Sequence, residues 1–266
     1  MTDTGTIRAG IGGWVFDAWN ESFYPAKLPK TKHLQYAGSQ LRTIEVNGTY
    51  YGSQKPATFA KWASEVPDGF VFSLKASRYC TNRKVLAEAA PSIEKFLTQG
   101  ITELGDRLGP ILWQFMATKT FEPEDFEAFL KLLPKTQDGI ALRHVVEPRH
   151  ASFQVPEFIE LLAKYNVAAV VADHDDYPMF ADPTADFVYA RLQRGTDETP
   201  TCYPPEQIGQ WAERFKTYAD GGVPGDLPLV APERTAPNLP RDVFAFFITG
   251  GKVNAPHGAM ALQKLV

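Results

Sequence analysis

Thr43-Ile-Glu45-Val-Asn47 is a short run in which apolar residues alternate with polar ones and the last residue is polar. Five further apolar runs end on a polar or charged residue: Val71-Phe-Ser-Leu-Lys75, Ile111-Leu-Trp-Gln114, Val145-Val-Glu147, Ala168-Ala-Val-Val-Ala-Asp173 and Phe187-Val-Tyr-Ala-Arg191. Side chains of a strand alternate between faces, so the apolar neighbours face one way and the terminal polar group faces the other. A closed parallel barrel needs this pattern, because outward residues meet helices and inward polar groups gather at the carboxyl-terminal mouth.

The segments between these runs have the periodicity of amphipathic helices. Apolar residues recur at i, i+3, i+4 and i+7 in five segments that begin at positions 34, 59, 126, 158 and 208, and a sixth helix is predicted over Ile93 to Leu104. Strands that alternate with helices are typical of an α/β protein with a parallel sheet. The sequence therefore predicts a single TIM-type (β/α)8 barrel, one domain over residues 1–266, with first and last strands at Ile7–Gly12 and Val243–Ile248.

One βα unit of this barrel is expected to be degenerate. Only 18 positions separate Asp173 from Arg191, and Asp182-Pro183-Thr184 lies between them, so a full helix hardly fits there. The alternative architecture is an open doubly wound sheet, which usually has a glycine-rich first turn. Gly10-Ile-Gly12-Gly13-Trp14 is rich in glycine but lacks the spacing of a dinucleotide-binding turn, and the P-loop pattern is absent. The closed barrel is favoured.

The composition is that of an ordinary globular protein, with 44% hydrophobic and 22% charged residues. The formal net charge of −4 gives no overall attraction to nucleic acid or anionic membranes, so we expect neither extended duplex nucleic acid nor a membrane as a partner. Two cysteines make no disulfide framework and favour a cytoplasmic location. The N-terminus carries an acid and no apolar segment, so a secretory signal is not expected either.

If the barrel closes, its mouth gathers a mixed set of charged, polar and aromatic side chains. Three carboxylates, Glu45, Glu147 and Asp173, would share the mouth with cations and a histidine, and enzymes tune acids and bases by such grouping. The alternative is a buried salt-bridge network that orders the barrel top without catalysing anything, although burying many charges without function is costly. The candidate substrate-binding residues are Trp14, Asn47, Tyr50, Tyr51, Lys75, Gln114, Arg149 and Arg191.

Glu147-Pro-Arg149-His150 is the densest part of this set. Glu147 and Arg149 share parity, so both are expected to point into the mouth. Glu147 is predicted to act as a general base, with Glu45 or Asp173 as its acid partner, and Arg149 to hold an anion. His150 is predicted to shuttle protons, and the alternative is a loop histidine that caps the next turn.

Divalent metal ions use ligand types that this mouth contains: Glu45, Glu147, Asp173 and His174. Adjacent residues point apart in a strand, so Asp173 and His174 would act together only if the strand broke there. Lys75 and Arg149 would also compete with a metal for the same carboxylates. We therefore expect no cofactor and at most a weakly bound divalent metal, and we expect the mouth to bind an anion before a metal.

Several motifs together resemble one family, the YecE-like family, also known as domain of unknown function 72. They cover the chain from about Ile7 to about Arg191 and are Gly12-Gly-Trp14, Phe23-Tyr-Pro25, Glu45-Val-Asn47-Gly-Thr49-Tyr-Tyr51, Phe70-Val-Phe-Ser-Leu-Lys75, Leu108-Gly-Pro-Ile-Leu-Trp-Gln114, Glu147-Pro-Arg149-His150 and Ala172-Asp173. The resemblance implies a TIM-type barrel and supplies no activity, because the family has no assigned function.

The chain departs from the family pattern at two places. After the last strand, where family members often carry a Tyr-Phe-Asn-Asn type segment, this chain has Phe246-Phe-Ile-Thr249-Gly-Gly. After the seventh strand, Gln193 stands where histidine is common in the family. An amide-bearing wall of the site is therefore replaced by Thr249 and two glycines.

Two functional hypotheses follow. The first is an enzyme, a hydrolase or lyase that acts on a phosphorylated or carboxylated small molecule or a nucleic-acid fragment, with Lys75, Arg149 and Arg191 holding the anion. The second is a non-catalytic module that binds a nucleotide or nucleic acid through aromatic stacking and the same cations. The surroundings of the carboxylates distinguish the two hypotheses. Catalysis needs two of them at one empty volume, whereas their saturation by arginine and lysine favours binding or structure.

Overall fold

The structure, a computed structural model, describes residues 4–266. Eight parallel strands close into one barrel, in which each strand pairs with its neighbours in the chain and the last pairs with the first. The strands are β1 Ile7–Gly12, β2 Thr43–Val46, β3 Val71–Lys75, β4 Leu108–Gln114, β5 His144–Glu147, β6 Ala168–Asp173, β7 Phe187–Leu192 and β8 Asp242–Phe247. The predicted TIM-type barrel is confirmed. Residues 1–3, on which the expectation about a secretory signal partly rests, lie outside the described residues.

Helices surround the barrel. They are α1 Trp19–Ser22, α2 His33–Gln40, α3 Gly48–Tyr51, α4 Pro56–Ser64, α5 Arg78–Thr81, α6 Ala90–Leu97, α7 Pro123–Lys131, α8 Pro156–Tyr165, α9 Pro205–Ala219 and α10 Ala255–Gln263. Short 3-10 turns and one antiparallel ladder complete the elements: Lys30–Lys32, Leu86–Ala89, Ile101–Arg107, Ala151–Phe153, and Thr136–Gln137 with Ile140–Ala141. Over residues 4–266, no helix has the length and apolar character required to cross a membrane.

The predicted helix over Ile93 to Leu104 is wrong in extent. Helix α6 ends at Leu97, and Gly100 then adopts a φ of 105°, which glycine reaches at little cost and other residues do not. A 3-10 turn follows from Ile101 to Arg107. The apolar periodicity continues across this break, so the pattern alone does not reveal it.

The unit between β6 and β7 is degenerate, as predicted, because residues 174–186 contain no helix. Side chains fix this segment instead. The Asp182 carboxylate accepts hydrogen bonds from the amides of Val230 at 2.8 Å and Ala231 at 2.9 Å, and the Thr184 hydroxyl donates to the Val167 carbonyl at 2.7 Å. These bonds attach the segment to the long loop before β8 and to the start of β6.

Alternation along the strands separates the barrel interior from the helical layer. A compact inner cluster contains Val71, Leu112, Val145, Ala168, Val170, Ala172, Phe187, Tyr189, Phe244, Phe246 and Ile248. The intervening residues face the helices in a second, larger cluster. Inward polar side chains therefore follow the inner cluster at the carboxyl ends of β2, β3, β4, β5 and β7.

Leu112 lies in the middle of β4 with no exposed surface, and its inward side chain packs in the inner cluster. We expect Leu112→Asp to destabilise the fold by about 4 kcal/mol or more, because the carboxylate has no partner there. The variant should fail to fold or melt more than about 10 °C lower in a thermal scan.

Leu239→Asp is the matched control, since the same side chain is 63% exposed there. Its melting temperature should stay within a few degrees of the parent. Equal losses in the two variants would contradict the assignment of Leu112 to the barrel interior.

Candidate functional site

Arg191 lies at the centre of a buried ion network at the carboxyl end of the barrel. Its side chain is 2% exposed. The guanidinium donates from Nε and Nη2 to the two oxygens of Glu45, both at 3.1 Å, and from Nη1 to Glu147 at 2.7 Å. Burial alone would lower the pKa of Arg191, but the carboxylates of Glu147 and Glu45 outweigh burial and raise it. Arg191 therefore stays charged.

Both carboxylates of this network have further donors. The Tyr189 hydroxyl donates to Glu45 at 2.8 Å, and the Gln114 amide donates to Glu147. Burial pushes the pKa of Glu147 upwards, but the charges of Arg191 and Arg149 outweigh it, so that its pKa lies below the ordinary value. Glu45 and Glu147 are 0% and 1% exposed. Glu147 is ionised, and both carboxylates are fully buried partners of Arg191.

Above this network lies a cavity of about 740 Å³. Residues at or after the ends of seven strands line it, and β6 contributes none. All eight candidate substrate-binding residues belong to this lining: Trp14, Asn47, Tyr50, Tyr51, Lys75, Gln114, Arg149 and Arg191. None of the four candidate catalytic residues does: Glu45, Glu147, Asp173 and His150. Glu45 and Glu147 lie with Arg191 in the ion network, which forms the floor of the cavity, and Asp173 lies away from it.

Lys75 ends β3 and is 8% exposed. Within residues 4–266 its ammonium has no hydrogen bond and no ion pair, and it lies 4.3 Å from the centre of the Tyr50 ring. Burial, followed by the nearby charge of Arg191, lowers the pKa of Lys75 from 10.5 to about 8. A buried lysine without a carboxylate partner is unusual and is more often functional than structural.

Arg149 follows β5 and is held largely by stacking. Its guanidinium lies 4.3 Å from the centre of the Tyr177 ring, and its Nη2 is 3.5 Å from both oxygens of Glu147. The Nε atom is buried and has no hydrogen-bond partner among the described residues. Because the ion pair is long, the guanidinium keeps donors for a ligand.

Gln193 and Lys252 also line the cavity, and neither was among the candidate site residues. Gln193 is 8% exposed; its carbonyl oxygen accepts from the Thr249 hydroxyl at 3.4 Å, and its Nε2 has no partner in the described chain. Its parity is that of Arg191, so the alternation rule could have found it. Lys252 comes from the loop after β8, where no strand pattern applies. The two departures from the family pattern, Gln193 and Thr249, thus meet in one wall.

The expectation that Asp173 points into the mouth is wrong. Ala172 faces the barrel interior and Asp173 faces the helical layer, where it accepts from the Tyr203 hydroxyl at 2.8 Å and lies 3.5 Å from Arg194. The run 168–172 is apolar throughout, so nothing in it fixes which residues face inwards. Asp173 cannot be the acid partner of Glu147.

His150 has the capping role that was the alternative to proton transfer. Its Nδ1 accepts from the Ser152 amide at 3.2 Å and lies 2.9 Å from the Ser152 hydroxyl, which caps the turn Ala151–Phe153. The imidazole is absent from the cavity lining. A local hydrogen bond, two residues along the chain, thus accounts for its position.

The groups that could ligate a metal are separated. Arg191 lies between Glu45 and Glu147, and Asp173 faces away with His174 beyond it. In residues 4–266 there is no group of three His, Cys, Asp or Glu side chains arranged to hold a metal ion. Four lining residues of the mouth are instead basic: Lys75, Arg149, Arg191 and Lys252.

A second, larger cavity of about 940 Å³ lies beside the barrel, between residues 174–179 and α9. Both arginines that line it have carboxylate partners. Arg194 lies 2.8 Å from Asp175, and Arg214 lies 2.8 Å from Asp226. This cavity shares no lining residue with the cavity above the ion network, and its size alone does not make it the site.

Comparisons with known proteins agree on the fold. The family described as "Protein of unknown function DUF72" matches residues 8–266. A DUF72 family protein from Thermotoga maritima MSB8 superposes with a TM-score of 0.71 at 21% identity, over 97% of this chain and 98% of that chain. One from Enterococcus faecalis V583 gives 0.69 at 18% identity, over 98% of both chains.

A sequence relative among curated proteins is similar over a shorter stretch. The UPF0759 protein YunF of Bacillus subtilis (strain 168) is 31% identical over 78 residues, 29% of this chain. The match spans about a quarter of that relative's length, 27%. The resemblance read from the motifs is confirmed by the family match, which continues past Arg191 to the last residue.

Glu147→Gln tests whether the ion network carries stability. The change keeps the shape but removes one of the two charges that neutralise Arg191, so we expect a loss of about 3 kcal/mol and a melting temperature roughly 6–12 °C lower. The pKa of Glu147 is lower in the folded protein than its ordinary value of 4.5. The stability that the charged carboxylate contributes is therefore complete above pH 4.5 and is lost as the pH falls through the folded-state pKa. The difference in melting temperature between variant and parent should therefore become smaller in acid.

Glu160→Gln, at an exposed position of α8, is the control and should melt like the parent. A Glu147→Gln protein as stable as this control at neutral pH would show that Arg191 does not need its second carboxylate.

Proposed function

The chain belongs to the DUF72 family, which is described as one of unknown function, and we therefore propose a function from the site itself. The protein is an enzyme that holds an anionic small molecule, phosphorylated or carboxylated, in the cavity at the barrel mouth. The position supports this, since TIM-barrel enzymes carry their active sites at the carboxyl ends of the strands. The volume of about 740 Å³ suits a small molecule.

One observation carries the proposal: the cavity lining contains four basic side chains and no carboxylate. The two carboxylates in the floor neutralise half of that charge, which leaves a formal excess of two positive charges around the cavity. Three of the five N–H donors of Arg191 bind Glu45 and Glu147, so two remain. A phosphate or carboxylate supplies the acceptors and the charge that these groups lack.

The hydrolase form of the enzyme hypothesis gains no support from the carboxylates. Both oxygens of Glu147 already accept hydrogen bonds from Arg191, Gln114 or Arg149, and Arg191 keeps this group ionised beneath the floor. A general base must reach the proton that it removes. The amine of Lys75, which lines the cavity, is the better placed group, and this favours a lyase over a hydrolase.

A non-catalytic nucleotide-binding module is the second candidate. Tyr51 favours it, since its ring is 69% exposed at the rim of the cavity and can stack on a base. Trp14 and Tyr50 extend the aromatic wall inwards. Nucleotide binding without turnover of any anionic small molecule would select this candidate.

The affinity for sulfate should depend on the charge of Lys75. Sulfate keeps its charge from about pH 6.5 to 9.5, whereas Lys75, with a pKa of about 8, loses its proton in this range. We expect calorimetry to show binding that weakens as the pH rises above about 8. Lys75→Met should weaken binding about 10-fold or more at pH 7, since a charge-assisted hydrogen bond is lost, and should remove the pH dependence.

Lys164→Met, which removes an exposed surface lysine, is the control and should bind sulfate like the parent. Micromolar binding of Mn²⁺ or Zn²⁺ together with no detectable sulfate binding would reverse the order of anion and metal and make a metal-dependent hydrolase the leading hypothesis.

Gln193 is expected to serve binding at the expense of stability. Its buried Nε2 lacks a partner, so Gln193→Met should melt at the same temperature as the parent or slightly higher, whereas Gln114→Met should melt lower because it deprives Glu147 of a donor. In titrations, Gln193→Met should weaken binding of ribose 5-phosphate more than binding of inorganic phosphate. An equal effect on both ligands would place Gln193 outside the contact with the sugar.

A further inference from the structure

Lys75 is the buried group of the mouth that the ion network does not use. Its backbone is fixed on the strand side, because the Thr49 hydroxyl donates to the Lys75 carbonyl at 2.8 Å and the next amide, of Ala76, donates to Leu112 at 2.9 Å. The ammonium at the end of the side chain lies 4.3 Å from the centre of the Tyr50 ring. Lys252, the other cavity lysine, comes from a loop, so Lys75 is the amine with the fixed position.

The surroundings of Lys75 favour its neutral form. Burial and the cations Arg191 and Arg149 disfavour the ammonium, while the carboxylates of Glu45 and Glu147 favour it from further down, bound to Arg191. With a pKa of about 8, roughly a tenth of the side chain is the free amine at pH 7, far more than for an exposed lysine. Desolvation and a neighbouring cation are the conditions that make lysine a nucleophile in enzymes.

We propose that Lys75 forms an imine with the carbonyl carbon of an anionic ligand, which makes the substrate class an anionic aldehyde or ketone, either a keto acid or a ketose phosphate. This inference rests on the proposed function, since the cations must first hold the anionic group. Arg191 comes from β7, opposite β3 in the barrel, and Arg149 comes from β5, two strands from β3. All three side chains line the same cavity, so a ligand bound to the two arginines presents its remaining atoms towards Lys75.

The step balances without an oxidant or a second reactant. The nitrogen lone pair attacks the carbonyl carbon, the C=O pair moves to oxygen, and proton transfer gives a carbinolamine. The C–O bond then breaks, the oxygen leaves as water, and the nitrogen lone pair forms the C=N bond. One amine, one carbonyl and one proton become one iminium and one water.

The site suits the product of this step. The iminium carries the same single positive charge as the ammonium, and it remains beside the Tyr50 ring, whose face attracts cations. An iminium also withdraws electrons from the neighbouring carbon, which is what cleavage of a carbon–carbon bond or removal of an α-proton requires. This chemistry belongs to the lyase form of the proposed function.

Borohydride trapping tests the inference. The full chain is incubated with pyruvate or with dihydroxyacetone phosphate, reduced with sodium borohydride, digested and mapped by mass spectrometry. We expect one adduct on Lys75, well above that on Lys252 in the same sample, formed faster as the pH rises towards 8 and suppressed by sulfate. The two probes tell a carboxylate anchor from a phosphate anchor.

Lys75→Arg keeps a cation at this position and removes the amine. It should show no adduct at position 75. Sulfate binding by the parent with no adduct, or with adducts spread evenly over surface lysines, would overturn the imine and leave anion binding standing. Absence of sulfate binding by the parent would overturn the proposed function itself. Suppression by sulfate in the parent remains a test should Lys75→Arg fail to fold.

Discussion

The buried guanidinium of Arg191 pairs with two carboxylates, and these ion pairs fix the positions of the side chains at the mouth of the barrel. Arg191 ends β7, and its partners Glu45 and Glu147 come from β2 and β5, so the ion network joins three separate parts of the barrel wall. Burying three charges is costly unless they are paired and hydrogen-bonded, and Tyr189 and Gln114 add one donor each to the two carboxylates. The network lies between the apolar interior of the barrel and the cavity at the mouth.

This floor decides what the cavity can do. The carboxylates that would serve as acids, bases or metal ligands are consumed by Arg191, so the chemistry available above the floor belongs to cations and an amine. The same two carboxylates keep the pKa of Lys75 at about 8, because they partly offset the effect of burial, which lowers this pKa. The ion network and the proposed binding groups above it therefore influence each other through the same two carboxylates.

Strand alternation predicted the inward positions where a strand carries two polar or aromatic residues, two positions apart. Thr43 with Glu45 and Tyr189 with Arg191 fix which residues of β2 and β7 face inwards, and the structure agrees. In β6 the run before Asp173 is entirely apolar, and buried strands of a parallel sheet carry no such alternation. The inward residues of β6 are alanine and valine, so a polar end residue was mistaken for an inward one.

Alternation also predicts which side of the sheet a side chain faces, but not which residue it pairs with. The roles of the charged residues were therefore harder to predict than their positions. A guanidinium reaches across a barrel, and whether it pairs with a carboxylate or stays open to a ligand depends on residues far apart in the chain. Gln193 shows the limit most clearly. Its parity places it in the mouth, but only contact with Thr249, 56 residues later, orients the amide, and the amide nitrogen has no partner among residues 4–266. In the proposed function, a ligand oxygen accepts from this donor and offsets the cost of burying it unpaired.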